Sequence, residues 1–252
     1  MHYFFLEGQI LTPGAEVELG SEDVNHAYRV LRLKAGDYVA VADGRGMVRS
    51  GLIAASGPKK VIVLLGDQLP AAESFLKITL FQSPAKGEKM DMIIRQAVEL
   101  GVTQIVPVYT ARSIPRWNSR LEEKKIERWR SIIRSAAAQC RRAYLPHLEN
   151  LHDLKSVLSR IEGYKTLVLF EEEKNIFLTQ ILKQPCPENK TVFLFIGPEG
   201  GFDSREIEAL NEAGAETVHV GQRIMRTETA AVAAIAVIQA AWGDLSGERK
   251  SW

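Results

Sequence analysis

The rhythm of apolar positions changes once along the chain, just after Gly66. Before that point short apolar runs separated by tight turns read as strands. Tyr38 to Ala42 and Met47 to Ala55 flank Asp43-Gly44-Arg45-Gly46, a hairpin turn, and Val61 to Leu65 follows the turn at Ser56-Gly57-Pro58. One helix interrupts them: Ser21-Glu22-Asp23 places acid in its first turn, and Val24, Tyr28 and Leu31 follow at helical spacing. This pattern predicts a small β-barrel over residues 1–70. The polar, proline-containing stretch from Gly66 to Ser74 is read as a domain boundary. Beyond it apolar runs alternate with helical patterns: Leu76 to Phe81, Gln104 to Val108, Thr166 to Phe170, Val192 to Ile196 and Thr217 to Val220. Such alternation predicts an α/β domain over residues 74–245, with a parallel sheet and helices on both faces.

Three of the intervening helices bear on function. Glu88 to Leu100 is closed by Gly101 as a C-terminal cap. Ser119 with Glu122 forms a capping box that opens a longer helix running to about Arg142. That helix carries Arg134, Arg141 and Arg142 toward its C-terminal end, where cations also satisfy the helix dipole. The last helix, Ala230 to Trp242, is apolar nearly all round and too short to span a bilayer. It has to be covered on every side, either by a second copy of the chain about a two-fold axis or by the N-terminal unit of the same chain.

Two loops stand out between strand and helix. In Phe193-Leu-Phe-Ile-Gly-Pro-Glu-Gly-Gly-Phe202 an apolar run breaks into glycines, and Asp203 with Glu206 then reads as a capped helix start. Gly221-Gln-Arg-Ile-Met-Arg-Thr-Glu-Thr-Ala230 lies between a short apolar run and the last helix, and one of Thr227, Glu228 and Thr229 is expected to cap it. Glycine loops at helix starts often hold phosphate, but neither standard nucleotide fingerprint occurs, and Glu199, Asp203 and Glu206 stand where a triphosphate needs lysine. A flat, cationic, adenosyl-sized ligand fits better. Gly197, Gly200 and Gly201 allow close approach, and Ile196, Val220, Ile224 and Met225 supply apolar walls. Two readings of Arg226 stand: it meets negative charge developing on a substrate, or it pairs with Glu228 or Glu199. Glu199 likewise reads as a proton acceptor or as the partner of an arginine such as Arg223 or Arg226.

Composition narrows the partners. The chain has 252 residues, 46% hydrophobic and 25% charged, with a net charge of +1. From Lys86 to Arg142, however, 13 Lys and Arg stand against 6 Asp and Glu, so one segment is able to bind a polyanion or to form a solvated face. Cys140 and Cys186 have no neighbour at metal or disulfide spacing, and the five histidines carry no triad or metal signature. The N-terminus lacks a signal-peptide pattern, so a cytoplasmic location is expected.

Gly197-Pro-Glu-Gly-Gly-Phe202 followed by Gly221 to Ala230 resembles the cofactor signature of the bacterial 16S ribosomal RNA uridine-N3 methyltransferases, members of the knotted SPOUT superfamily. The resemblance covers nearly the whole chain. His26-Ala-Tyr-Arg-Val-Leu-Arg32 is similar to the helix motif of their PUA-like N-terminal domain, and Gly87-Glu-Lys-Met90, Gln96 to Gly101 and Ala137 to Arg141 are similar to further blocks. It implies a PUA-like β-barrel that binds RNA and a C-terminal SPOUT domain with a trefoil knot. It also implies a homodimer that acts on 16S ribosomal RNA, within the small ribosomal subunit, with S-adenosyl-L-methionine as cofactor. Phe170, Glu171, Ile196, Gly197, Gly200, Gly201, Val220, Gly221, Ile224, Met225, Thr229 and Ala230 would hold the cofactor. Arg226 and Glu199 would be catalytic, no metal would take part, and His26, Arg29, Arg32, Lys86, Lys89, Arg112, Arg134, Arg141 and Arg142 would meet RNA. Two other readings remain: a related knotted enzyme acting elsewhere on RNA, such as a ribose 2′-hydroxyl, and an RNA-binding assembly factor without catalysis.

Overall fold

Alternation of inward apolar and outward polar residues builds the N-terminal strands. In the computed structural model, which describes residues 1–71, 73–114, 116–245 and 247, the chain divides into two units. The first comprises residues 1–73 and 134–145. Its strands are β1 (His2–Phe5), β2 (Glu16–Glu18), β3 (Tyr38–Ala42), β4 (Val48–Ser56) and β5 (Val61–Gln68), in the order β1-β3-β4-β5-β2. The β1–β3 pair is parallel and the other pairs are antiparallel. Val39 and Val41, Ile53, and Val61, Val63 and Leu65 point to one face at period two, where they meet Phe4, Leu11, Val17 and Val24 in a single core. The turn at 43–47 forms as expected, with Asp43 Oδ1 accepting the amide hydrogens of Arg45 and Met47.

The helix of this unit departs from the regular spacing. After α1 (Ser21–Asn25) the turns widen over His26–Val30, with Leu31 N–H donating to His26 O. Widening rotates the face, so Val24 and Ala27 are buried while Tyr28, expected inside, is 38% exposed.

The second unit, residues 74–133 and 146–252, holds the parallel sheet. Its strands are β6 (Lys77–Gln82), β7 (Gln104–Tyr109), β8 (His147–Leu148), β9 (His152–Asp153), β10 (Lys165–Leu169), β11 (Thr191–Ile196) and β12 (Glu216–Val218). The order is β12-β10-β11-β6-β7-β8, with β9 also on β7, and every pair is parallel. Central strands β6 and β11 are buried along nearly their whole length, which is why they read as unbroken apolar runs. The helices are α2 (Lys89–Glu99), α3 (Ser119–Cys140), α4 (Leu154–Val157), α5 (Leu178–Ile181), α6 (Ser204–Glu212) and α7 (Thr227–Trp242).

Helix termini correct two expectations. Asn118, not Ser119, caps α3: its Oδ1 accepts from Leu121 N–H, while Glu122 accepts from the Tyr109 hydroxyl. The helix ends at Cys140, so Arg141, at φ 62°, and Arg142 lie beyond it. Helix α7 buries one face, Ala231, Ala234, Ile235, Ile238 and Trp242. Val232, Ala233, Ala236 and Val237 are half-buried and Ala240 is exposed, so the described residues do not cover the helix on all sides. No helix among the described residues is long and apolar enough to cross a membrane.

Candidate active site

Three neighbouring strands, β12, β10 and β11, deliver their C-terminal ends to one cavity, the position where open parallel sheets bind ligands. Its volume is about 420 Å³, within the range of roughly 300–1,000 Å³ usual for small-molecule sites. After β10 the chain contributes Phe170 and Glu171, after β11 Gly197 to Glu199 and Gly201, and after β12 His219 to Thr227 and then Ala230. Leu169, Ile196, Val218, Val220, Ile224 and Met225 make the apolar walls, although Ile224 is itself 87% exposed. The structure therefore brings together ten of the twelve expected cofactor residues. Gly200 is drawn aside under Arg112, and Thr229 faces outward from α7.

The first loop is held by local contacts. Gly201, at φ 69°, uses a backbone conformation that costs a side-chain-bearing residue about 1–2 kcal/mol, and a Cβ there would run into the Glu171 carboxylate. The α6 start carries the expected capping box: Asp203 Oδ1 accepts from Arg205 N–H, and Glu206 Oε2 accepts from Asp203 N–H. Glu206 also accepts from Ala111 N–H through Oε1, and Arg112 donates to Gly200 O at 3.0 Å, so the loop after β7 holds the glycine loop from outside. Arg112, expected at RNA, thus serves a structural contact and lies 3.7 Å from Asp203.

No side chain caps α7. Thr227 instead donates its hydroxyl hydrogen to Gly197 O at 2.7 Å, tying the second loop to the first. Glu199 is partnered by lysine, not by an arginine: Oε1 accepts from Lys86 N–H and from Lys89 Nζ, each at 3.0 Å. Burial works against its charge, but these donors and its own amide outweigh burial and hold the carboxyl below its ordinary value. Lys89 Nζ also stands 3.8 Å from Glu228 Oε2, a buried oxygen without a hydrogen-bond partner among the described residues. Lys89, expected at RNA, is therefore held between two carboxylates. Arg226 and Arg223 form no ion pair or side-chain hydrogen bond among the described residues, which leaves the pairing of Arg226 with Glu228 or Glu199 without support.

Residues 72–239 match the family described as RNA methyltransferase domain, and residues 19–65 match RNA methyltransferase PUA domain. The chain belongs to this methyltransferase family. It is 31% identical over 235 residues to ribosomal RNA small subunit methyltransferase E of Buchnera aphidicola subsp. Schizaphis graminum, covering 91% of this chain and 92% of the relative. The Bacillus subtilis protein of the same name is 28% identical over 245 residues, 94% of this chain and 96% of the relative. Among solved structures, a ribosomal RNA small subunit methyltransferase E from Neisseria gonorrhoeae bound to S-adenosyl methionine is 30% identical with a TM-score of 0.89, over 97% of this chain and 99% of that one. A methyltransferase from Legionella pneumophila in complex with the same cofactor is 33% identical with a TM-score of 0.87, over 96% and 98%.

Within the first unit of this family member, the expected RNA residues fall into two groups. His26, Arg29 and Arg32 are exposed on the widened turn and the loop behind it, together with Tyr28 and Val30. Arg141 is also exposed. Arg134 and Arg142, also expected at RNA, have donors taken by carboxylates. Arg134 pairs with Glu7 and Asp23 at 2.7 and 2.6 Å and donates to Phe5 O. Arg142, 4% exposed, pairs with Glu73, which also accepts from Ala143 N–H and Tyr144 N–H. Sequence spacing had no signal for these partners, which lie 69 to 127 positions away. Lys86 stays exposed, and no cluster of His, Cys, Asp and Glu suited to a metal occurs among the described residues.

Proposed function

We propose that this protein methylates N3 of one uridine in 16S ribosomal RNA, using S-adenosyl-L-methionine held in the cavity between the two loops. The observation that carries the reading is the cavity itself: apolar walls wide enough for an adenine, glycine backbone on one side and an unpaired guanidinium on another. When bound, the cofactor supplies an electrophilic methyl group on a sulfonium. Glu171, which forms no ion pair among the described residues, gives that rim a carboxylate able to face a cation.

N3 of uracil is a weakly acidic imide that is normally stacked inside RNA, so the base has to be exposed and its N3 proton passed to solvent before nitrogen can attack. Negative charge then spreads to O2 and O4. Arg226, which like Arg223 forms no ion pair among the described residues, meets it in this reading, held as the residue before α7 by the Thr227 contact to Gly197. Glu199 acts in this reading as an anchor of the loop, since Oε1 already accepts two N–H groups and the carboxyl is held ionised.

The same reading includes RNA contact through His26, Arg29 and Arg32 of the PUA-like unit, a homodimer and a cytoplasmic site of action. Support for the dimer comes from the half-buried apolar face of α7 at Val232, Ala233, Ala236 and Val237. A threaded C-terminus is supported by the way α7 begins against Gly197 and returns to α2, where Gln239 donates to Leu100 O. Relatives named as small-subunit ribosomal RNA methyltransferases over nine tenths of this chain favour an enzyme acting on that RNA over an assembly factor without catalysis. The test is transfer of labelled methyl to 16S RNA or small subunits by the purified protein, followed by nucleoside analysis. Label in 3-methyluridine is expected; label in a 2′-O-methylated nucleoside, or none, rejects the reading.

A further inference from the structure

Thr227, which lines the cavity, ends a chain of buried polar side chains. Gln82, at the end of β6 and fully buried, donates from Nε2 to Ser83 O at 2.9 Å and to Thr227 Oγ1 at 3.2 Å. The orientation of its amide is set by chemistry. Ser83 O only accepts, and the Thr227 proton lies on Gly197 O, so both neighbours need the NH₂ side. Consequently Gln82 Oε1 is buried with no hydrogen-bond partner among the described residues. A buried acceptor left without a donor is unfavourable and calls for a reason. Here the reason is the direction it imposes on one hydroxyl.

We propose that Gln82 is a positioning residue for cofactor binding. By filling the Thr227 lone pair it points the Thr227 hydrogen at Gly197 O, and so sets the spacing between the glycine loop and the first turn of α7. Without that donor the hydroxyl is free to rotate among its staggered positions, and the tie between the two loops loosens. The proposal rests on the reading that the cavity takes S-adenosyl-L-methionine.

Calorimetric titration of the full chain with S-adenosyl-L-methionine tests it. In Gln82→Met the cofactor Kd is expected to rise roughly tenfold, the size of one lost positioning hydrogen bond, while kcat at saturating cofactor and RNA changes less than about twofold. In a Thr227→Val background the same substitution is expected to add nothing, because the two residues act through one contact. An unchanged Kd in Gln82→Met, equal losses in kcat and binding, or additive effects in the double variant overturn the proposal. Should Gln82→Met fail to fold, Gln82→Leu carries the test, since it likewise removes the donor to Thr227 and keeps the site filled by an apolar side chain; wild-type affinity in that variant overturns it equally. A wild-type protein that binds no cofactor overturns the functional reading and this proposal with it, and that outcome is seen before any substitution is made.

Discussion

Replacing Lys89 by methionine removes one ammonium and keeps most of the stem, so it isolates the charge that stands 3.0 Å from Glu199 and 3.8 Å from Glu228. The Lys89 and Glu199 side chains are 32% and 24% exposed. Their pair is therefore worth more than a surface ion pair, which reaches about 1 kcal/mol, and less than a buried charge-assisted hydrogen bond, about 3 kcal/mol. A value near 1.5 kcal/mol predicts a roughly tenfold rise in the Kd for S-adenosyl-L-methionine at neutral pH, because the glycine loop loses its side-chain anchor. The sign of the pH dependence follows from the depressed carboxyl. Glu199 contributes stability that is present above its ordinary value of 4.5 and lost as pH falls through its lower folded value. Without Lys89 that folded value rises, so loss of affinity on acidification begins at higher pH than in the wild type. Titration calorimetry over an acidic pH series reads both effects. Wild-type affinity together with an unshifted acid limb would refute the anchoring role of Lys89.

Other perturbations separate chemistry from scaffold. Arg226→Ala is expected to leave the cofactor Kd within about twofold and to slow single-turnover methylation by about 10²–10³-fold, the usual effect of removing one donor from developing charge; unchanged turnover refutes its role. Gly201→Ala is expected to cost about 1–2 kcal/mol from its φ of 69° and to weaken cofactor binding by displacing Glu171, read by thermal melting and calorimetry on the same sample. Glu73→Ala is expected to destabilise the protein by about 3 kcal/mol, since Arg142 is left buried with its carboxylate gone and two amides lose their acceptor, while cofactor affinity stays unchanged. Denaturant melts of that variant with no change in midpoint would count against this assignment.

What the sequence revealed follows from how local each feature is. The buried strands of the parallel sheet are unbroken apolar runs, and Asp203 with Glu206 is a capping signal confined to four consecutive positions, so both were legible. Gly101 closes α2 for an equally local reason, at φ 84°. Caps that compete with a neighbour were not: Asn118 and Ser119 are both good caps, and Thr227 lies one position inside α7, where its hydroxyl donates to Gly197 O, 30 positions away. Cationic side chains were the least legible, because a guanidinium reads alike whether RNA or a carboxylate awaits it. Arg134 and Arg142 have carboxylate partners far away in sequence, and residues 134–145 group with the N-terminal unit although they follow the sheet's second strand. Gln82 gave no signal at all, being one polar residue at the end of an apolar run. Its meaning depends on Thr227, reached only through the fold.

The proposed reaction of this chain places one methyl group on N3 of a uridine in 16S ribosomal RNA. Mass spectrometry of nucleosides from small-subunit RNA of cells lacking the protein addresses it most directly, with the wild-type gene and the Arg226→Ala variant supplied back in parallel. Loss of 3-methyluridine that the wild type restores and the variant does not is the predicted result. A 3-methyluridine content unchanged by removal of the protein would contradict the account.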